Sequence, residues 1–179
     1  MPKNEHDISF RAYRTATLSR RMRNAFSRRN LVYQFLDELL ASENTLRAVG
    51  FKFMYRQARR HPQVVDWCRS RDVRIVHLVR KNLLKIAVSR VLAKQRGVYH
   101  SKKALKANPV HLDPASLIRQ LDSMAGLIRD NAARFESNPC LEVYYEDFVA
   151  NKEKESQRIL SFLDVSTTAP LSSDLVKIN

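Results

Sequence analysis

The stretch from Val73 to Gly97 constrains the fold more than any other part of the chain. It opens with the β-forming run VRIVHLV, turns from Arg80 to Asn82, and continues from Leu83 as a helical pattern that ends before Gly97. A buried strand that leads directly into a helix is half of the repeating unit of an α/β sheet. Because ligands of such sheets bind at the carboxyl ends of the strands, Arg80 is the first candidate for a site residue.

Helical patterns also precede and follow this stretch. Apolar residues recur at three-to-four spacing from Leu31, and Pro62 stands at the first turn of a short helix that ends at Arg69. Asp113, which is followed by proline, predicts the capped start of a long helix, and Asn151 predicts the capped start of a last helix. These signals are local, so they predict where helices begin without any knowledge of tertiary contacts.

Two further segments have strand patterns. The segment Leu46–Tyr55, LRAVGFKFMY, alternates apolar residues with others, and Leu141–Tyr145 is a short β-forming run. Strands separated by helices imply a mainly parallel sheet with helices on both faces. The sequence therefore predicts an α/β protein, with a basic polar lead segment over residues 1–30 and a single α/β domain over residues 31–179.

Positive charge is concentrated in the middle third of the chain. The formal net charge is +14, and residues 51–110 hold 16 basic and 2 acidic residues, whereas residues 111–179 hold 7 basic and 11 acidic residues. A positive field over one region favours an anionic ligand such as a phosphate, a sulfate, a nucleic acid or an acidic glycan. A solvated basic face without a ligand is the alternative interpretation of the same charge.

Composition also argues against several classes of protein. No apolar run reaches the roughly 18 residues that a membrane span needs, and no apolar signal-peptide core follows Met1, so we expect a cytoplasmic protein. Cys68 and Cys140 are isolated, and the histidines are scattered without the spacing of a metal site. We therefore expect no metal, and we expect both cysteines to be reduced core residues.

The residues around the turn after the first predicted strand suit a phosphate monoester. A helix start offers free backbone N–H groups and a partial positive charge. The guanidinium of Arg80 can hold a phosphate through two hydrogen bonds, and Ser89, two turns into the helix, can add a hydroxyl. The residues by themselves thus predict a phosphate site built on Arg80 and Ser89.

The stretch VRIVHLVRKNLLKIAVSRVLAKQRG resembles the 3′-phosphate-binding segment of sulfotransferases that use 3′-phosphoadenosine 5′-phosphosulfate (PAPS). Arg80 and Ser89 match the arginine of that segment and the serine nine residues after it. The residue pattern of this stretch is similar to that of bacterial carbohydrate sulfotransferases, including the nodulation-factor type. Three other segments agree in order with the family's preceding strand, its YEDL segment and its FLGV helix end: residues 49–57 (VGFKFMYRQ), 145–148 (YEDF) and 159–165 (ILSFLDV).

The resemblance, which covers about residues 46–178, implies a P-loop-like three-layer α/β sandwich and a transferase. The implied reaction moves a sulfuryl group from PAPS to a hydroxyl of a carbohydrate or glycolipid, without a metal. Arg80, Ser89 and Lys52 are the implied ligands of the nucleotide co-substrate, and His100 is the implied contact with the acceptor. The resemblance assigns no catalytic base, and it implies a local structural role for the YEDF segment.

The sequence leaves three functions open, and one of the three follows from a departure from the family. The family begins with a strand and a glycine-containing loop that holds the 5′-phosphosulfate, whereas the glycines of this chain are Gly50, Gly97 and Gly126. We therefore expect an incomplete α/β domain that lacks that first unit and the family's C-terminal end. An active sulfotransferase is the first hypothesis, an inactive family remnant that binds the nucleotide is the second, and a basic nucleic-acid-binding protein with an Arg-rich segment over residues 11–29 is the third.

Overall fold

The structure is a computed structural model that describes residues 28–41, 47–96 and 111–168. In these ranges the elements are, in order, α1 (Arg28–Ala41), α2 (Tyr55–Arg60), α3 (Pro62–Ser70), β1 (Ile75–Val79), α4 (Leu83–Arg96), α5 (Pro114–Arg134), β2 (Cys140–Tyr144), α6 (Tyr145–Ala150) and α7 (Lys152–Phe162). The chain divides into two compact units, Met1–Val73 and Arg74–Asn179. The single domain over residues 31–179 stays a prediction.

In the first unit, α1 packs on α3 through apolar side chains and one shared carboxylate. Leu31 and Val65 are among the buried side chains, and Trp67 is only 3% exposed. The Trp67 indole Nε1–H donates to Asp37 Oδ1 at 2.9 Å, and Arg71 donates to both oxygens of the same carboxylate at 3.2 and 3.0 Å. The hydrogen bonds from Arg71 hold the pKa of Asp37 below its usual range, and the bond from Trp67 adds to this against the opposing effect of burial.

The prediction of a strand over Leu46–Tyr55 is wrong for the residues of this segment that the structure describes. Residues 47–54 have no regular secondary structure, and α2 begins at Tyr55. A strand must pair its backbone groups with a neighbour, and no strand of the described ranges pairs with this segment. Met54 instead starts α2, because its N–H donates to Gln57 Oε1 and its carbonyl accepts from the Gln57 N–H, both at 2.7 Å.

The second unit contains a parallel pair of strands, which confirms the predicted α/β class in an incomplete form. The strands β1 and β2 pair in parallel with Ile75 opposite Cys140 and Val79 opposite Tyr144. Val143 is fully buried, and Ala87 of α4 and Met124 of α5 contribute to the same unit's apolar interior. Because the strands run in parallel and in register, the residues that follow Val79 and Tyr144 leave the sheet at the same edge.

The predicted helix starts in the second unit are confirmed. Asp113 Oδ2 accepts a hydrogen bond from the Ser116 N–H at 2.7 Å, and Pro114 is the first residue of α5. Asn151 Oδ1 accepts from the Lys154 N–H at 3.2 Å at the start of α7. The end of α7 is marked by Asp164, whose φ of 59° lies in the left-handed region that favours glycine. This is the position at which the similar FLGV segment carries glycine.

Cys68 and Cys140 form no disulfide in the described ranges, and they differ in exposure. Cys68 is buried, and this burial raises the pKa of its thiol to about 11. Cys140 is exposed, so its prediction as a core residue is wrong. It is the first residue of β2, and side chains at the end of a short strand have fewer neighbours above and below them. Across the described ranges, no helix has both the length and the hydrophobicity required to cross a bilayer.

Candidate nucleotide site

The parallel register brings a cation and an aromatic ring together at the carboxyl edge of the sheet. Arg80 is the residue after β1, and Tyr145, the first residue of α6, is the residue after β2. The guanidinium carbon of Arg80 lies over the Tyr145 ring, 3.9 Å from its centroid. Both side chains are half-buried. This distance is within the range of about 6 Å over which a cation and an aromatic face attract each other.

Glu146, the residue after Tyr145, holds the backbone that follows Arg80. Glu146 accepts hydrogen bonds from the Lys81 N–H at 3.0 Å and from the Asn82 N–H at 3.1 Å, one with each carboxylate oxygen. The Asn82 side chain in turn accepts from the Lys85 N–H at 2.8 Å, as a cap of α4. These amides are therefore engaged, and the expectation that they would be free to hold a phosphate is wrong.

Charges at this edge compensate one another. Partial burial alone raises the pKa of Glu146, but the amide hydrogen bonds and the charge of Arg80 outweigh it and leave that pKa below its usual range. Lys81 Nζ donates to the two oxygens of Asp147 at 2.9 and 3.1 Å, and its ammonium lies 4.3 Å from the centroid of the Tyr144 ring. The bond to Asp147 raises the pKa of Lys81 above its usual value.

The side-chain donors of Lys81 are hydrogen-bonded to Asp147, whereas those of Arg80 have no such acceptor in the described ranges. Within the described ranges, no oxygen accepts a hydrogen bond from the Arg80 guanidinium, although the side chain is half-buried and held against Tyr145. A guanidinium has five N–H donors and remains charged at any physiological pH. The edge of the sheet thus presents one oriented cation whose donors are available to an anionic ligand.

The other predicted site residues have different positions. Ser89 is exposed on α4, and its side-chain hydroxyl forms no hydrogen bond with another described residue. Lys52 is exposed in the irregular segment of the first unit, outside the unit that contains Arg80. His100 lies outside the described residues. In the parts of the chain that the structure describes, no group of three His, Cys, Asp or Glu side chains is placed to hold a metal ion.

Sequence reasoning missed the contact between Tyr145 and Arg80 and the amide contacts of Glu146. The family resemblance implies a local structural role for the segment YEDF, whereas its side chains contact residues 64 to 66 positions earlier in the chain. The signal that could have identified them is the pairing of the two strands in parallel, since residues that follow two such strands share one edge.

Comparison with known proteins identifies a family for most of this unit. A family model described as "Sulfotransferase family" matches residues 70–169, which is more than half of the chain and includes Arg80, Ser89, Tyr145 and Glu146. Lys52 precedes the matched region. No curated protein and no solved structure matches the chain. The extent of the family match shows that the chain belongs to the sulfotransferase family.

Proposed function

We propose that this chain binds PAPS and transfers its sulfuryl group to a hydroxyl of a carbohydrate or glycolipid. Membership of the sulfotransferase family supports the reaction class. The observation that carries the nucleotide assignment is the half-buried Arg80 guanidinium at the carboxyl end of β1, stacked on Tyr145 and without a hydrogen-bonded acceptor in the described ranges. In α/β sheets this edge is where ligands bind.

In this proposal Arg80 and Ser89 hold the 3′-phosphate of the nucleotide. The guanidinium donates two charge-assisted hydrogen bonds to phosphate oxygens, and the exposed Ser89 hydroxyl donates one more. Because Glu146 already accepts from the Lys81 and Asn82 amides, the phosphate depends on side chains rather than on those amides. The concentration of basic residues over 51–110 supports the attraction of such an anion.

The proposed reaction breaks the bond between sulfur and the bridging oxygen of the 5′-phosphate. The acceptor hydroxyl oxygen attacks sulfur and loses its proton, and adenosine 3′,5′-bisphosphate leaves with the electron pair of the broken bond. Positive charge at the leaving phosphate and a base for the hydroxyl proton accelerate such a step. Arg80 and Ser89 act at the other phosphate, so their contribution is to bind and orient the donor. In this proposal Lys52 also contacts the nucleotide, and His100 contacts the acceptor.

Titration calorimetry with adenosine 3′,5′-bisphosphate tests the nucleotide site. We expect Arg80→Ala to weaken binding by about 2 kcal/mol or more, or roughly 30-fold, because a charged donor pair to phosphate is lost. Lys94→Ala removes an exposed cation from α4, the helix that carries Ser89, and is the matched control, with affinity expected to stay near that of the wild type. Equal affinity of the Arg80→Ala and wild-type proteins would reject Arg80 as a ligand.

Transfer and binding must be measured separately, because they distinguish the three functions. Sulfate transfer from radiolabelled PAPS to a panel of glycan and glycolipid acceptors would support the enzyme. Nucleotide binding that depends on Arg80, without transfer to any acceptor of the panel, would favour the inactive remnant. Duplex binding that falls steeply with salt, in the absence of nucleotide binding, would favour the nucleic-acid-binding protein.

A further inference from the structure

The Arg80 side chain contacts a residue that is distant in sequence. Its guanidinium lies over the Tyr145 ring at 3.9 Å from the centroid, and the two residues follow neighbouring parallel strands. A long arginine side chain loses substantial rotamer freedom when it binds a ligand. A partner that already restricts those rotamers therefore lowers the entropy that ligand binding must remove.

We infer that Tyr145 is a positioning residue, whose ring holds the Arg80 guanidinium in the orientation that receives the 3′-phosphate of the nucleotide. This inference rests on the proposed function. It concerns the aromatic face of Tyr145 and not its hydroxyl, because the cation lies over the ring. Tyr145 itself contacts Arg80 rather than the reacting atoms, so it acts through Arg80.

An aromatic partner suits this task better than a carboxylate. The five N–H donors of a guanidinium lie in its plane, so contact with a ring face leaves them available, whereas an ion pair would occupy some of them. The two nearby carboxylates are engaged elsewhere, since Glu146 accepts from two backbone amides and Asp147 pairs with Lys81. The arrangement therefore restrains Arg80 without using its hydrogen-bonding capacity.

The residue after Tyr145 restrains the same part of the chain. Glu146 holds the backbone N–H groups of Lys81 and Asn82, which directly follow Arg80. The consecutive residues Tyr145 and Glu146 thus hold the side chain of Arg80 and the backbone that follows it. Both contacts come from the first turn of α6. The residues that follow β2 therefore hold the residues that follow β1 in place.

Binding of adenosine 3′,5′-bisphosphate to four variants tests the inference. We expect Tyr145→Phe to keep wild-type affinity within about twofold, because the ring is retained. We expect Tyr145→Met, which retains apolar volume but not the ring, to weaken binding about five- to tenfold, in line with the usual strength of a cation–π contact. In the double variant with Arg80→Ala, the Met substitution should add no further loss, because the residue it positions is absent.

The controls separate this inference from the proposed function. If Arg80→Ala weakens binding and Tyr145→Met does not, the positioning role is rejected while the nucleotide site stands. If Arg80→Ala has no effect, the nucleotide site itself is rejected. Losses that add in the double variant, or a Tyr145→Phe variant as weak as Tyr145→Met, would also overturn the positioning role. Circular dichroism of each variant, with Tyr145→Leu as a replacement for a Met variant that fails to fold, shows whether the fold is retained.

Discussion

The starts of α4 and α5 are stabilised in different ways. At α5, Asp113 precedes the helix and accepts from the Ser116 N–H at 2.7 Å, so its cap lies within the helix's own segment. At α4, Asn82 supplies a comparable local cap, but Glu146 also accepts from the Asn82 N–H, 64 residues away in sequence. A local cap stabilises a helix, whereas the cap from Glu146 also holds the end of one strand against the end of another.

Removal of the long-range cap should have the largest effect on stability. Glu146→Ala leaves the Lys81 and Asn82 amides without their acceptor, and two partly exposed charge-assisted hydrogen bonds are worth about 2 kcal/mol together. We expect the free energy of unfolding to fall by about that amount in urea denaturation followed by far-UV circular dichroism. Fluorescence is unsuitable for this purpose, because the single tryptophan, Trp67, belongs to the other unit.

The neighbouring carboxylate provides a matched control for this prediction. Asp147 is also in the first turn of α6, but it pairs with the exposed Lys81 side chain instead of with backbone amides. Exposed ion pairs contribute little to stability, so we expect Asp147→Ala to leave the unfolding midpoint nearly unchanged. Equal losses in the Glu146→Ala and Asp147→Ala variants would show that the amide contacts have no special role.

Removal of the local cap of α5 should have a smaller effect. We expect Asp113→Ala to lower the free energy of unfolding by about 1 kcal/mol, which is typical of the loss of a side-chain cap. Binding of adenosine 3′,5′-bisphosphate should be unchanged, because the capping bond of Asp113 lies within the segment of α5. A loss of affinity in this variant, measured by calorimetry, would contradict the distinction between local and long-range caps.

The smallest effect is the acid sensitivity that Glu146 contributes. Its pKa lies below the usual range in the folded protein, so its carboxylate adds stability above the unfolded pKa of about 4.3. This contribution is lost as the pH falls from that value through the lower folded pKa. We expect Glu146→Gln to show a shallower loss of stability than the wild type between about pH 5 and pH 3, in denaturation curves measured across that interval. Parallel acid limbs would contradict this expectation.

Local signals explain most of what could be predicted about the fold. The joint of β1 and α4, the start of α5 at Pro114 and the start of α7 after Asn151 all depend on neighbours within a few residues, and all are confirmed. The strand over Leu46–Tyr55 was wrong because alternation of apolar residues does not supply a pairing partner. Its side chains Val49 and Met54 are accordingly 43% and 52% exposed.

In the candidate site, too, features that depend on neighbouring residues could be predicted, and features that depend on distant residues could not. Arg80 could be identified from the sequence because its place at the end of a β-forming run is local, and its role as a phosphate ligand, with Ser89, stays a prediction. The hydrogen bonds from the Lys81 and Asn82 amides to Glu146 could not be identified, since the residues before α4 give no sign of a partner that lies 64 or 65 positions later in the chain. The sequence therefore predicted which cation stands at the sheet edge but overestimated the number of free donors beside it.

By itself, the sequence determined that a strand ends at Arg80 and that a helix follows it, because both depend on the periodicity of adjacent residues. It also determined the family, through residues 70–169. Only the tertiary structure decided that Tyr145 lies against Arg80 and that Glu146 caps α4. The physical reason is the parallel register of β1 and β2, which places the residues after Val79 and Tyr144 at one edge although they are far apart along the chain.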